Sequence, residues 1–297
     1  MPARRNDVQD APACILESHA ECGESPVWDR RAGVLWWVDI HGRRIHRTRW
    51  PDIHDESWPA PGRPSCLALT GDGGVVVAIE RDLHAFDPQS GRFSLLASCD
   101  GEPPEHRFND GRCDRHGRLW IGTLPEALDA PSGGFLRYDA GSRRFRRVMD
   151  GFIVPNGLAF RADGRAMFVA DSRARTVWRC TLDGTGMPGE REIFATFAEE
   201  EGRPDGAAVD AEGFFWVAHV TGGRITRFAP NGRRDRTIRL SVSRPTMCAF
   251  GGPDLDVLFV TSGTEHLDSA ALAQQPHAGG LFAFRPGVRG LPEPCLA

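Results

Sequence analysis

Short runs of apolar residues recur along the whole chain, and each run follows a turn rich in Gly and Asp. The first three are "DRRAGVLWWVDI" from Asp29, "GDGGVVVAIE" from Gly71 and "DRHGRLWIGT" from Asp114. Three more follow, namely "ADGRAMFVADS" from Ala162, "DAEGFFWVAHV" from Asp210 and "GPDLDVLFVTS" from Gly252. The turn glycines of the first five runs are 40, 44, 47 and 49 residues apart, at Gly33, Gly73, Gly117, Gly164 and Gly213. This spacing predicts six copies of one short-stranded unit.

Units of this kind also hold a second strand in which apolar and polar residues alternate, as at 83–86, 135–138, 225–228 and 281–284. Turn sequences such as "DPQSG" and "APNG" follow closely. Short strands at this spacing, without an amphipathic helical stretch, exclude helical and βαβ folds. A period of about 45 residues with about four strands is typical of a propeller blade. The sequence therefore predicts an all-β chain, a six-bladed β-propeller, and not two stacked β-sandwiches.

The repeat also sets the domain boundaries. Residues 12–297 are predicted to form a single propeller domain, and the polar residues 1–11 a loose N-terminal tail. We expect the segment near residues 14–21 to complete the last blade, because this would close the ring and protect its edge strand.

Composition narrows the possible partners. The net charge is −4, and no apolar run approaches the roughly 20 residues that a membrane helix needs, so neither nucleic acid nor a membrane is expected as a partner. The absence of Lys excludes Schiff-base chemistry. The eight cysteines are scattered, form no C-x-x-C pair and follow no apolar leader segment. They are expected to be reduced thiols of a cytoplasmic protein.

One polar residue occupies the same register in four of the six units. Glu24, Asn109 and Asp205 each lie five residues before the Asp that opens a turn, and Asn156 lies five residues before Arg161. Such residues are often turn formers, but Pro or Gly beside Glu24, Asn156 and Asp205 fixes the backbone ahead of an apolar strand, where a Glu gains nothing from a turn. The apolar runs are predicted to be the innermost strands, which line the channel. Residues just before these strands in different blades should then ring one mouth of the channel, and we expect all four polar residues there. Carboxylates brought together repel unless a cation joins them, which predicts a divalent-metal site on the axis.

Several segments, in this order, resemble the senescence marker protein/gluconolactonase/regucalcin family: "ECGESPVWD", "HRFNDGRCDRHGRLWIGT", "VPNGLAFRADGR" and "RPDGAAVDAEGFFWVAH". The resemblance covers about residues 12–294 and implies a six-bladed propeller that binds one divalent metal and hydrolyses aldonolactones. Carried over by motif, it implies three metal ligands, Glu24, Asn156 and Asp205. It also implies three contacts to the substrate's hydroxyl and carbonyl oxygens, Arg107, Asn109 and Asp110.

The resemblance is incomplete over the pocket. Some family members carry an acidic substrate contact and a lysine there, whereas this chain has no Lys and offers Glu126 only near the acidic position. The loop at residues 124–134 is therefore expected to determine which lactone fits.

For the reaction, Asp205 is the expected general base, with Asp110 as the alternative. No G-x-S-x-G elbow and no H-E-x-x-H helix occurs, so neither a serine hydrolase nor a classical zinc hydrolase is indicated.

The expected substrate is a small sugar lactone, either a pentonolactone or gluconolactone, opened to the aldonic acid in sugar oxidation. Oxygen ligands suit Ca²⁺, Mg²⁺ or Mn²⁺, and they also tolerate Zn²⁺ and Fe²⁺. The alternatives are another metal-dependent ester or organophosphate hydrolase and a non-catalytic calcium-binding propeller.

Overall fold

A computed structural model of the protein describes residues 11–297. Except for residue 11, the tail predicted for residues 1–11 lies outside the described residues. Within the described part, 24 strands form six four-stranded antiparallel sheets, which confirms the predicted six-bladed β-propeller. A 3₁₀ turn at Glu199–Glu201 and one short helix, α1 (Ser269–Gln274), lie in loops between strands.

Five blades are formed by consecutive strands. The first is β2 (Gly23–Asp29), β3 (Val34–Asp39), β4 (Arg44–Arg49) and β5 (His54–Pro59). The second is β6 (Pro64–Leu69), β7 (Val75–Ile79), β8 (Asp82–Asp87) and β9 (Arg92–Ser98). The third is β10 (His106–Cys113), β11 (Leu119–Pro125), β12 (Gly133–Asp139) and β13 (Arg144–Phe152). The fourth is β14 (Pro155–Phe160), β15 (Ala166–Asp171), β16 (Thr176–Leu182) and β17 (Pro188–Thr196). The fifth is β18 (Arg203–Val209), β19 (Phe215–Val220), β20 (Arg224–Phe228) and β21 (Arg234–Arg239).

The sixth blade joins the two ends of the described chain. It consists of β22 (Pro245–Gly251), β23 (Val257–Ser262), β24 (Leu281–Phe284) and, as outermost strand, β1 (Ala13–Leu16). The antiparallel pair of β1 and β24 closes the ring as expected. The closing strand is shorter than the predicted segment 14–21, because the chain then crosses the blade, where Ala20 N–H donates to the Gly279 carbonyl at 2.9 Å and Cys22 bridges Gly263.

The first strand of each blade lies nearest the axis, since β2, β6, β10, β14, β18 and β22 pack against one another around the channel. The apolar repeats seen in the sequence are the second strands, from β3 to β23. The polar register residues therefore lie within the innermost strands, and not just before them as the sequence suggested. All five turn glycines of the repeat have positive φ, between 65° and 97°, a region that favours Gly.

Six apolar clusters fill the spaces between neighbouring blades, one for each pair. Trp120 lies between the third and fourth blades, 5.7 Å from the ring of Phe160, and Trp216 lies between the fifth and sixth. These tryptophans are fully buried, so they serve blade packing and do not offer a sugar-stacking surface.

The C-terminal segment covers the end of the channel that faces away from the polar residues. Ala211 N–H donates to the Arg289 carbonyl at 2.9 Å, and Leu296 N–H donates to the Leu69 carbonyl at 2.7 Å. Glu293 lies 3.3 Å from Arg112 of an inner strand. Because this segment links blades across the axis, the channel opens at the other mouth.

The eight cysteines, all within the described residues, form no disulfide, as expected. Five are buried, and burial raises the pKa of the Cys248 thiol to about 12, so it stays protonated and unreactive. No helix in the described part of the chain is long and apolar enough to cross a membrane.

Candidate metal centre and substrate cavity

Every inner strand carries a register shift at the same mouth of the channel, for example between Glu24 and Val27 and between Asn156 and Ala159. A bulge of this kind re-aims a side chain out of the regular pleat. The bulges bring six polar residues, one per blade, to a single cavity of about 210 Å³: Glu24, Ser65, Asn109, Asn156, Asp205 and Thr246. The four residues predicted from the shared register are thus brought together. Arg107 and Asp110 line the same cavity.

Two members of this ring, Ser65 and Thr246, were missed by the sequence reasoning. The signal was present, because Pro directly precedes both of them, as it precedes Asn156 and Asp205. Small hydroxyl residues in a strand are common, however, and neither suggested metal chemistry alone.

A chain of hydrogen bonds fixes the two asparagines. Asn109 Nδ2 donates to Asn156 Oδ1 at 2.9 Å and to the Pro155 carbonyl at 3.0 Å. Asn156 Nδ2 donates to Ser172 Oγ at 2.8 Å, and Ser172 Oγ donates to the Pro204 carbonyl at 2.7 Å. Both N–H groups of Asn109 are therefore engaged, and its Oδ1, which accepts one hydrogen bond from Arg107, keeps a lone pair for a ligand. Asn156 Oδ1 keeps one lone pair for a cation.

Ser172→Ala is expected to weaken divalent-metal affinity by at least tenfold, because the Asn156 amide loses the hydroxyl that orients it. Isothermal titration of the metal-free variant with Ca²⁺ or Mn²⁺ measures the change. The matched control is Ser241→Ala, at an exposed serine outside the cavity. Equal affinities for the two variants would mean that Ser172 does not position Asn156.

Three carboxyl groups at the site, those of Glu24, Asp110 and Asp205, lie close together and accept few hydrogen bonds. Glu24 Oε2 accepts from Ser25 N–H and Asp110 Oδ2 accepts from Leu158 N–H, both at 2.9 Å. Asp110 Oδ1 is buried and has no hydrogen-bond partner among the described residues. Burial, followed by the charges of Asp205 and Asp110, raises the pKa of Glu24 well above its usual range. Burial and the nearby Asp110 raise the pKa of Asp205 to about 8, and burial raises that of Asp110 to about 6.

This donor set fits a hard divalent cation. It consists of carboxylate and amide oxygens, and it includes buried carboxyl groups that resist ionisation unless a positive charge stands beside them. Two arginines, Arg112 beneath the site and Arg244 at its rim, offset the negative charge of these carboxyl groups only in part. Each also faces another carboxylate, because Arg112 lies 3.3 Å from Glu293 and Arg244 lies 3.8 Å from Glu265.

Arg107 borders the cavity beside Asn109. Its Nη1 donates to the Phe108 carbonyl at 3.0 Å and lies 3.4 Å from Asn109 Oδ1. Glu126, which the sequence left unassigned, is half-exposed, ion-paired with Arg63 and 3.8 Å from Arg107 Nε. Glu126 therefore lies close enough to orient Arg107.

A second group of potential ligands lies at the cavity rim, where donor atoms of Cys22, His41 and Glu265 are within 4.8 Å of one another. His41 Nε2 is 3.4 Å from Glu265 Oε1. Sequence reasoning missed this group, because its members come from distant segments with no shared motif. Burial and the charge of Glu24 raise the pKa of the Cys22 thiol well above its usual range. The axial site offers only carboxylate and amide oxygens, which hard divalent cations prefer, whereas this rim group would bind a cation through a thiol and an imidazole.

Fold and site together define a six-bladed β-propeller with an oxygen-rich, metal-type cavity on its axis. Residues 22–264 match the SMP-30/Gluconolactonase/LRE-like region, and the chain belongs to this family. It is 38% identical over 286 residues to 6-deoxy-6-sulfogluconolactonase of Pseudomonas putida, with 96% of this chain and 98% of that protein covered. It is 35% identical over 280 residues to L-arabinolactonase of Azospirillum brasilense, covering 93% and 92%. The crystal structure of a calcium-binding protein, regucalcin, from Agrobacterium tumefaciens superposes with a TM-score of 0.91 at 29% identity and 98% coverage of both chains.

Proposed function

We propose that this protein is a metal-dependent lactonase that opens small aldonolactones to aldonic acids. The observation that carries the proposal is the axial cavity, in which the buried Glu24 and Asp110, the half-buried Asp205 and two amides lie beside Arg107. Two relatives that match nearly the full chain are named lactonases of sugar acids, which supports the same chemistry. Residues 12–297 act as one domain in this proposal, and the eight unpaired thiols favour a cytoplasmic location.

Glu24, Asn156 and Asp205 would hold the cation. When bound, the cation supplies Lewis-acid chemistry, since it polarises the lactone carbonyl and lowers the pKa of water. The regucalcin of similar structure is described as calcium-binding. Ca²⁺, Mg²⁺, Mn²⁺, Zn²⁺ and Fe²⁺ are all compatible with oxygen ligands.

Asp205 is the proposed general base, taking a proton from the attacking water through a carboxylate oxygen. It is less buried than the other two carboxyl groups at the site. Asp110 is less available as a base, because its Oδ2 already accepts a hydrogen bond from Leu158 N–H.

Arg107 and Asn109 would orient the substrate by binding its hydroxyl and carbonyl oxygens, with Asp110 as a further contact. Fixing a small, flexible sugar in one pose removes much of the entropic barrier. Covalent catalysis is not needed: Ser25 Oγ accepts from Leu67 N–H at 3.0 Å, and no base is hydrogen-bonded to it among the described residues.

A matrix of divalent metals against substrates tests the proposal. We expect metal-dependent release of aldonic acid from gluconolactone or a pentonolactone, above the spontaneous rate, and no turnover of phosphotriesters or aryl esters. Turnover of phosphotriesters without lactones would favour another hydrolase. Tight Ca²⁺ binding without any turnover would favour a non-catalytic calcium-binding propeller.

A further inference from the structure

We infer that the preferred lactones carry a terminal oxyanion (a sulfonate, phosphate or carboxylate), which Arg173, Arg203 and Arg244 bind at the cavity rim. This inference rests on the proposed lactonase function and narrows its substrate class. It follows from the position of these arginines, from the absence of ion pairs of Arg173 and Arg203 with the described residues, and from the chemistry of the guanidinium group.

The arginines belong to a repeat one layer above the axial ring. An Arg stands two residues before the axial polar residue in four of the six blades, at Arg63, Arg107, Arg203 and Arg244. Residues two apart in a strand point to the same face, about 6–7 Å apart, so this layer surrounds the open mouth. Three of the four line the cavity directly: Arg107, Arg203 and Arg244.

The two sides of this arginine layer differ in their partners. On the side of the second and third blades, Arg63 pairs with Glu80 at 2.7 Å and Arg107 lies 3.8 Å from Glu126. On the opposite side, the Arg203 side chain makes no hydrogen bond or ion pair with any described residue. Arg244 lies 3.8 Å from Glu265, and its buried Nε has no hydrogen-bond partner within residues 11–297.

A third arginine adds to the same side. Arg173, in the loop after β15, lines the cavity and likewise makes no side-chain ion pair among the described residues. Burial lowers the pKa of Arg203, and the positive charges of Arg173, Arg175 and Arg244 lower it further. Of the carboxylates near Arg203, Glu199 is exposed and lies 3.5 Å from Arg175. Arg173 and Arg203 therefore have no ion-pair partner among the described residues, and Glu265 is paired with Arg244 alone of the three.

A neutral lactone would not use such a cluster. Its ring and hydroxyl oxygens need orientation, which Arg107 and Asn109 can provide at the other side of the cavity. Unpaired guanidinium groups instead match oxyanions, which they bind with two parallel charge-assisted hydrogen bonds. With the lactone carbonyl at the axial site, a charged end of the sugar would reach the rim of the fourth to sixth blades.

The test compares gluconolactone with three analogues that differ only at C6, where the hydroxymethyl group is replaced by a sulfomethyl, a phosphorylated or a carboxyl group. We expect kcat/KM for at least one anionic lactone to exceed that for gluconolactone by tenfold or more. Arg203→Gln and Arg173→Gln should each lower the anionic-to-neutral ratio of kcat/KM by about tenfold, mainly through KM. The matched control, Arg233→Gln, at an exposed arginine outside the cavity, should keep the ratio of the parent protein. The three anions identify which group is bound.

A second measurement separates this inference from the proposed function. Calorimetric titration with the open-chain aldonates, with and without the C6 anion, reports binding without turnover. Tighter binding of an anionic aldonate, lost in Arg203→Gln, supports the arginine site even if no lactone is hydrolysed. The inference is overturned if neutral and anionic lactones are hydrolysed with equal kcat/KM. It is also overturned if Arg203→Gln and Arg173→Gln leave the anionic-to-neutral ratio of kcat/KM unchanged. In both cases the lactonase proposal stands.

Discussion

Asp205→Asn is expected to lower kcat for lactone hydrolysis by about three orders of magnitude, while the protein remains folded. The substitution keeps the shape of the side chain but removes both the proton acceptor and one negative ligand. Because burial and the charge of Asp110 disfavour a carboxylate here, a neutral amide should not destabilise the metal-free fold. Steady-state kinetics on gluconolactone, with thermal unfolding of the metal-free proteins, measures both effects.

The matched control for this experiment is Asp254→Asn. Asp254 is an exposed aspartate in the turn before β23 and does not line the cavity. It should retain the activity and the unfolding temperature of the parent. If Asp205→Asn keeps more than a tenth of the parental kcat, Asp205 is not the general base, and Asp110→Asn becomes the next variant to examine.

The fold could be predicted from the sequence because the same glycine-containing turn recurs from blade to blade. The glycines of the repeat occupy a backbone region that other residues disfavour, and the period they mark is the period of the blades. The register of Glu24, Asn109, Asn156 and Asp205 was readable for the same reason, since equivalent positions in a ring of blades face one axis.

What the sequence did not reveal depends on contacts between blades. Ser172 reaches Asn156 from the loop after β15 and bonds to the next blade, a pairing that no local motif encodes. The order of strands within a blade was also misjudged. The most apolar runs are second strands, buried on both faces between neighbouring blades, whereas the inner strands carry polar residues and bulges. Hydrophobicity alone therefore points to the middle of a blade and not to its axial edge.

Chelation of the divalent cation is expected to abolish lactone turnover and to lower the unfolding temperature by about 5 °C. A cation present at a hundred times its dissociation constant stabilises the folded state by about 2.7 kcal/mol, and each kcal/mol corresponds to roughly 2 °C for a chain of this size. Its removal leaves Glu24, Asp110 and Asp205 facing one another in a buried cavity. Differential scanning calorimetry and lactone assays after EDTA treatment, followed by re-addition of single metals, measure the two effects.

Glu24→Gln gives this experiment its internal comparison. The amide removes one negative ligand and relieves the repulsion between carboxylates, so the temperature shift caused by the metal should shrink, whereas Asp254→Asn should show the full shift. A metal effect that is the same in Glu24→Gln as in the parent would place the cation elsewhere, and the rim group of Cys22, His41 and Glu265 would then be the site to test. Full turnover by protein shown by elemental analysis to be free of metal would rule out metal dependence.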